Sequence, residues 1–182
     1  MASPWATPEE LRLHLRLTSI DTESAAVKIA EAEGIIRGAL EQDIDAVTGD
    51  VAGLVGNGRR VINLPQLPVT LVTSVTVDGT VLDAADWRVN RYGILTYCGT
   101  CWPLDADIEV VYDHGYDQVP APVKQVCLQV AGRAWVRAAA TGLSAESLGD
   151  RSVTYDKDRP GDQLTAYEEQ MLRPYGLGNE SR

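Results

Sequence analysis

Between Val119 and Thr141 the chain reads VPAPVKQVCLQVAGRAWVRAAAT, and its apolar residues recur at helical spacing. Val123, Val126, Cys127, Val130, Ala134 and Ala138 form one stripe, and Leu128, Ala131, Trp135 and Ala139 an adjoining one. Gln125, Gln129, Arg133 and Arg137 return every fourth position as a narrow polar strip that faces solvent or meets a partner. Pro120 and Pro122 open the helix where a missing amide hydrogen costs nothing, and Gly142 offers the left-handed position that closes it. Gly132 and the alanines from Ala138 to Ala140 let another backbone approach closely, and Trp135 is the natural buried anchor. The pattern predicts a central core helix, apolar on enough sides to pack against neighbouring subunits as well.

Earlier in the chain, Thr7-Pro8-Glu9-Glu10 supplies a hydroxyl cap, a first-turn proline and a capping-box glutamate, which predicts a short helix to about Arg16. A second helix is expected from Asp21 or Thr22 to about Val47, where Thr48, Gly49 and Asp50 break it. Its apolar face is Val27, Ile29, Ala32, Ile36, Ala39, Leu40, Ile44 and Val47, and Gly34 and Gly38 thin it for close packing against the central helix.

From Val51 to Tyr116 the period changes to two. Arg60–Leu64 reads as a strand stopped by Pro65, and Val69–Val77 as another. Asp78-Gly79 signals a two-residue hairpin that returns Val81-Leu82 alongside Val75–Val77. Trp87–Val89 and Gly93–Tyr97 form a further pair turned at Asn90–Tyr92, and Asp107–Tyr112 closes the series. The glycine-rich run Gly53–Arg60 lacks the lysine and hydroxyl of a phosphate-binding loop and precedes a strand, so it reads as a plain loop.

A polar segment follows the central helix, with one strand-like run at Ser152–Tyr155. A last short helix spans Leu164–Leu172, with Thr165 and Glu168 as a second capping box and Pro174 and Gly176 as its stop. The expected fold class is α+β: a helical core, an inserted antiparallel β-sheet and a short C-terminal helix in one domain. Its parts are residues 7–48 helical, 51–117 β insertion, 120–142 central helix, 143–163 extended loop, 164–175 C-terminal helix and 176–182 tail.

Composition narrows the function. Sixteen Lys and Arg against 26 Asp and Glu give 182 residues a formal charge of -10, which opposes general binding to nucleic acid and anionic membranes. Eight of the carboxylates fall between Asp21 and Asp50, the pattern of a solvated helix face. No apolar run reaches the roughly 18 residues of a membrane span. The N-terminus does not read as a signal peptide, and three cysteines suggest reduced thiols inside a cell.

Chemistry is sparse. Cys98-Gly99-Thr100-Cys101 supplies half of a zinc tetrahedron, with His114 and Cys127 as poorly spaced partners for the other half. A metal or redox binding module on Cys98 and Cys101 is therefore the alternative reading. Asp113-His114-Gly115-Tyr116-Asp117 could tune a histidine for hydrolysis through His114 and Asp117, yet no serine or cysteine stands in a nucleophile elbow. No enzyme, cofactor or resident metal is expected.

The order of elements carries a resemblance. Leu64-Pro65-Gln66-Leu67-Pro68-Val69 leads to Val75-Thr76-Val77-Asp78-Gly79, then Val110–Tyr116 with Val119-Pro120, then the long helix, then Ser147–Tyr155. From Thr7 to Gly176 this resembles the head-tail connector (adaptor) proteins of long-tailed bacteriophages; the Cys98–Cys101 turn is a departure. The resemblance implies a structural virion protein of the neck, assembled in the host cytoplasm as a homo-oligomeric ring, commonly a dodecamer. Such a ring docks below the portal protein, receives the stopper or tail protein on its other side, and lets DNA through its channel without specific binding. It further implies that the C-terminal segment grips the portal, and the apolar residues there are Leu164, Tyr167, Met171, Leu172 and Tyr175. The segment carrying Ser144, Leu148, Arg151, Val153 and Tyr155 is the expected contact loop for a subunit or partner.

Overall fold

The computed structural model describes residues 4–140 and 163–177. In chain order the helices and strands are α1 (Pro8–His14), α2 (Thr22–Leu40), β1 (Val47–Val55), β2 (Val61–Asn63), β3 (Val69–Val77), β4 (Thr80–Val81), β5 (Trp87–Val89), β6 (Ile94–Tyr97), β7 (Asp107–His114), α3 (Ala121–Ala140) and α4 (Ala166–Leu172), with a 3-10 turn at Arg173–Tyr175. The fold is α+β. It divides into a helical unit, Met1–Ala39 with Pro120–Pro174, and a β unit, Leu40–Val119 with Tyr175–Arg182.

In the helical unit the Thr7 hydroxyl accepts from the Glu10 amide at 3.2 Å and Glu10 Oε2 accepts from the Thr7 amide at 2.9 Å, closing the expected capping box. Glu10 Oε1 also accepts from Lys124 Nζ at 2.6 Å, which ties α1 to α3. The Lys124 bond, with the Thr7 amide, holds the Glu10 carboxyl below its ordinary value. Gly132 makes room for the end of α1: a Cβ there would stand 3.2 Å from Leu15 Cδ2.

Burial on α3 is narrower than its apolar pattern suggests. Val123, Val126, Cys127, Val130 and Ala131 are buried, but Trp135 is only half-buried and Val136, Ala138 and Ala139 are exposed. Trp135 is therefore not the buried anchor. Trp5 takes that part, 2% exposed, with its amide donating to Glu33 Oε1 at 2.7 Å and the Arg37 guanidinium 4.5 Å from its ring. Its position before the first periodic segment hid it.

The second helix stops at Leu40, seven residues short of the expected Val47. Glu41 turns into the left-handed region at φ 57. Beyond it, buried Gln42 donates to the Tyr175 carbonyl and accepts from the Leu67 amide, and the Asp43 amide donates to Gln66. Tertiary hydrogen bonds thus capture a stretch whose spacing still reads as helix. Val47 starts β1 instead, and Gly53, Leu54 and Val55, expected in a loop, continue it.

The β unit packs a four-stranded sheet, β1-β7-β3-β4, against a three-stranded one, β2-β6-β5. All pairings between strands are antiparallel. Asp78 and Gly79 both take positive φ, 47 and 77, as a primed two-residue turn requires, and Thr76 pairs with Val81. One core joins the inward faces: Val72, Val75, Ile108, Val110 and Tyr112 from the larger sheet meet Ile62, Leu64, Leu95 and Trp102.

Candidate partner-binding surfaces

The C-terminal helix is built as its sequence predicts. The Thr165 hydroxyl accepts from the Glu168 amide at 3.3 Å, and Glu168 Oε2 accepts from the Thr165 amide at 2.8 Å. Glu168 has a second role that the capping signature alone does not reveal. Its side chain is 3% exposed, and its carboxylate receives both terminal nitrogens of Arg133 on α3, at 2.5 and 3.0 Å. Burial pushes this carboxyl up, but the Arg133 bonds, joined by the Thr165 amide and hydroxyl, more than reverse that and hold it below its ordinary value. The polar strip on α3 thus meets α4 at Arg133, a bidentate pairing whose planar fork fixes the angle of the short helix.

The clasp sorts the expected interface residues. Leu172, expected at the interface, is 2% exposed within the helical unit and offers no surface to a partner. Tyr167 on α4 is 65% exposed, whereas Leu164 and Met171 are half-buried. Tyr175 belongs to the β unit, half-buried, with its ring 6.1 Å from that of Tyr116 in an edge-on contact. Burial, with Tyr175 beside it, raises the Tyr116 hydroxyl above its usual value. Ser144, Leu148, Arg151, Val153 and Tyr155, with Gly142 and the Ser147–Tyr155 part of the resemblance, lie outside the described residues.

The cysteines and histidines do not converge. Among the described residues no three His, Cys, Asp or Glu side chains are placed to hold a metal ion. Cys98 and Cys101 follow β6 in the β unit, whereas Cys127 is buried in the helical unit. His114 Nε2 lies 3.1 Å from Asp50 on β1, not against Asp117, and its ring is 5.1 Å from that of Tyr112. His114 is 3% exposed, and among the described residues its Nδ1 has no hydrogen-bond partner. Burial, and then the charge of Asp50, pushes Tyr112 up to about 12. The pair of His114 and Asp50 joins β1 to β7, with the imidazole buried and the Asp50 carboxylate partly exposed.

The three thiols should therefore divide under a thiol reagent. Burial, then Glu33, pushes Cys127 up to about 12, which keeps it protonated as well as covered. Cys101 is exposed and Cys98 half-buried, so two equivalents should react in native protein and the third only on unfolding. Three fast equivalents would mean that α3 is not packed as described.

Comparison with protein-family models finds no match, and comparison with curated proteins finds none either. Solved structures do match. One is a chain of the virion of the native gene transfer agent (GTA) particle, 16% identical, covering 100% of this chain and 95% of that one at a TM-score of 0.57. A chain from the neck of the native GTA particle, computed with C12 symmetry, is 14% identical and covers 100% and 97% at 0.54. A third, from the neck of the empty GTA particle computed with C6 symmetry, is 18% identical and covers 81% and 83% at 0.50. What this chain shares with them is a fold, over its full length with the first two and over 81% of it with the third.

Proposed function

We propose that this protein is a non-enzymatic head-to-tail adaptor of a phage-like particle, working as a ring in the virion neck between the portal and the stopper or tail. The observation that carries the reading is the likeness in fold to chains of GTA necks, over the whole chain for the one computed with C12 symmetry and over 81% of it for the one computed with C6 symmetry. The element order of the resemblance supports it independently. So does the second half of α3, which leaves Val136, Ala138 and Ala139 exposed on a helix whose first half is core. An acidic balance suits a ring through which DNA must slide without being held.

In this reading α4 presents Tyr167 and Met171 to the portal, with Leu164 just before its cap, and the segment from Ser144 to Asp158 contacts a neighbouring subunit or partner. Deleting Leu164–Arg182 is a blunt test, because it also removes buried Leu172 and Glu168. Tyr167→Ala is the sharper one. It should weaken capture of the portal by about 2 kcal/mol, roughly 30-fold, while leaving the melting temperature unchanged. Electron microscopy of purified protein mixed with the portal of the same particle should show a ring beneath the portal. Wild-type rings that never join portals would refute the adaptor reading, and undiminished capture by Tyr167→Ala would remove α4 from the grip.

A further inference from the structure

The outward faces of the two sheets in the β unit lie on opposite sides of one core, and they differ in charge. Between Leu40 and Val119 the only Lys or Arg residues are Arg59, Arg60, Arg88 and Arg91, against twelve Asp and Glu. All four arginines are exposed, and all belong to the three-stranded sheet or the loops entering its strands, where Asp83 and Asp86, exposed in the loop entering β5, are the carboxylates on the same side of the chain. Arg88 on β5 pairs across β6 with Thr96, and Thr96 pairs with Val61 on β2, so these three share a row. That row faces away from the buried row containing Leu95. Val61 and Ile94 add exposed apolar surface at 42% and 37%. Among the described residues no carboxylate lies within ion-pair distance of the four arginines.

The four-stranded sheet presents the opposite character. On its central strand β7 the outward residues are Asp107, Glu109, Val111 and Asp113, alternating with the buried Ile108, Val110 and Tyr112. Val51 on β1 pairs with Val111, and Leu71 on β3 pairs with Asp113. Val51, Val55, Leu71 and Val81 are each more than half exposed on strands of this sheet. A column of carboxylates is thus bordered by apolar side chains that a lone copy leaves in water.

We infer that these two faces dock onto each other between copies, the arginine-bearing β2-β6-β5 face of one chain against the acidic β1-β7-β3 face of the next. Two different patches on opposite sides of one unit make a head-to-tail contact, the kind that closes into a ring when its rotation permits. The apolar residues supply the buried area, and the charges set direction and reject like faces. Closure of the contact into a ring rests on the adaptor reading; the contact itself needs only this chain.

Sedimentation of the purified full chain, without portal, tests it. Wild-type self-association should weaken with added salt, because charges more than about 8 Å apart are screened at physiological ionic strength. Arg88→Glu and Glu109→Arg should each weaken it more than about tenfold, and an equal mixture of the two variants should restore it, since each supplies the face that the other has reversed. Arg91→Glu with Asp107→Arg repeats the exchange at a second pair. All four side chains are exposed, so melting temperatures should not move. A wild type that stays monomeric at low salt, or single variants that associate normally, would overturn the inference. Duplex DNA held by wild type and released by Arg88→Glu would also overturn it, assigning the arginines to phosphate instead. Rings that still form beneath the portal with the charge-reversed variants would sink this contact and leave the adaptor reading standing.

Discussion

Arg133→Ala is expected to loosen α4 from the helical unit and to cost about 2–4 kcal/mol, because it strands a buried carboxylate without its cation. Glu168 is the buried member of the pair, its side chain 3% exposed, while that of Arg133 is 35% exposed, which places the cost below that of a fully enclosed pair. Denaturant unfolding measures the loss, and Arg133→Lys should recover only part of it, since an ammonium cannot fill both oxygens at once. The pH dependence has a definite sign. Glu168 is held below its ordinary value in the folded chain, so its contribution is present at neutral pH and fades as pH falls through that lowered value. Removing Arg133 leaves burial as the dominant influence, and the acid transition should move to higher pH. A variant within about 0.5 kcal/mol of wild type, with an unmoved acid transition, would show that the clasp does not hold α4.

Trp102→Ala should destabilise the β unit by about 3–5 kcal/mol, among the largest effects available to one substitution here. Trp102 is 0% exposed, its ring lies 5.0 Å from that of Tyr97, and its amide donates to Arg59 at 2.9 Å, so it pins the loop after Cys101 into the space between the sheets. Its indole Nε1 is buried with no hydrogen-bond partner among the described residues. Trp102→Phe removes that unmatched donor along with some volume, so it should cost less than about 2 kcal/mol. Unfolding followed by fluorescence and circular dichroism would compare the two. Equal losses from both variants would mean that the indole hydrogen finds a partner in solution.

Local signals in this chain are chemically specific, and they proved dependable. Two capping boxes, at Thr7 with Glu10 and at Thr165 with Glu168, form where hydroxyl and carboxylate stand three residues apart. Asp78-Gly79 makes the hairpin that its tolerance of positive φ allows, and Val69–Val77 is a strand from end to end. Failures cluster where a residue's partner lies far away in the chain. Periodicity carries the second helix past Leu40, but the bonds Gln42 accepts from the Leu67 amide and donates to the Tyr175 carbonyl outweigh a weak helical preference there. The alternation of β1 was masked by its two glycines, and its pairing with β7 is a contact across more than fifty residues.

The sequence by itself determined the class of fold, the order of its elements and their ends wherever a cap or turn lies within a few residues, because those energies are local and each residue type has one geometry that satisfies it. Only the tertiary structure decided which surfaces are open. It placed Leu172 in the core and Tyr167 in solvent, joined Arg133 to Glu168, parted Cys127 from the Cys98–Cys101 turn, and set Arg88 on one sheet of the β unit and the carboxylates of β7 on the other. Burial and charge segregation are sums over neighbours distant in the chain, and no periodicity in a single stretch can report them.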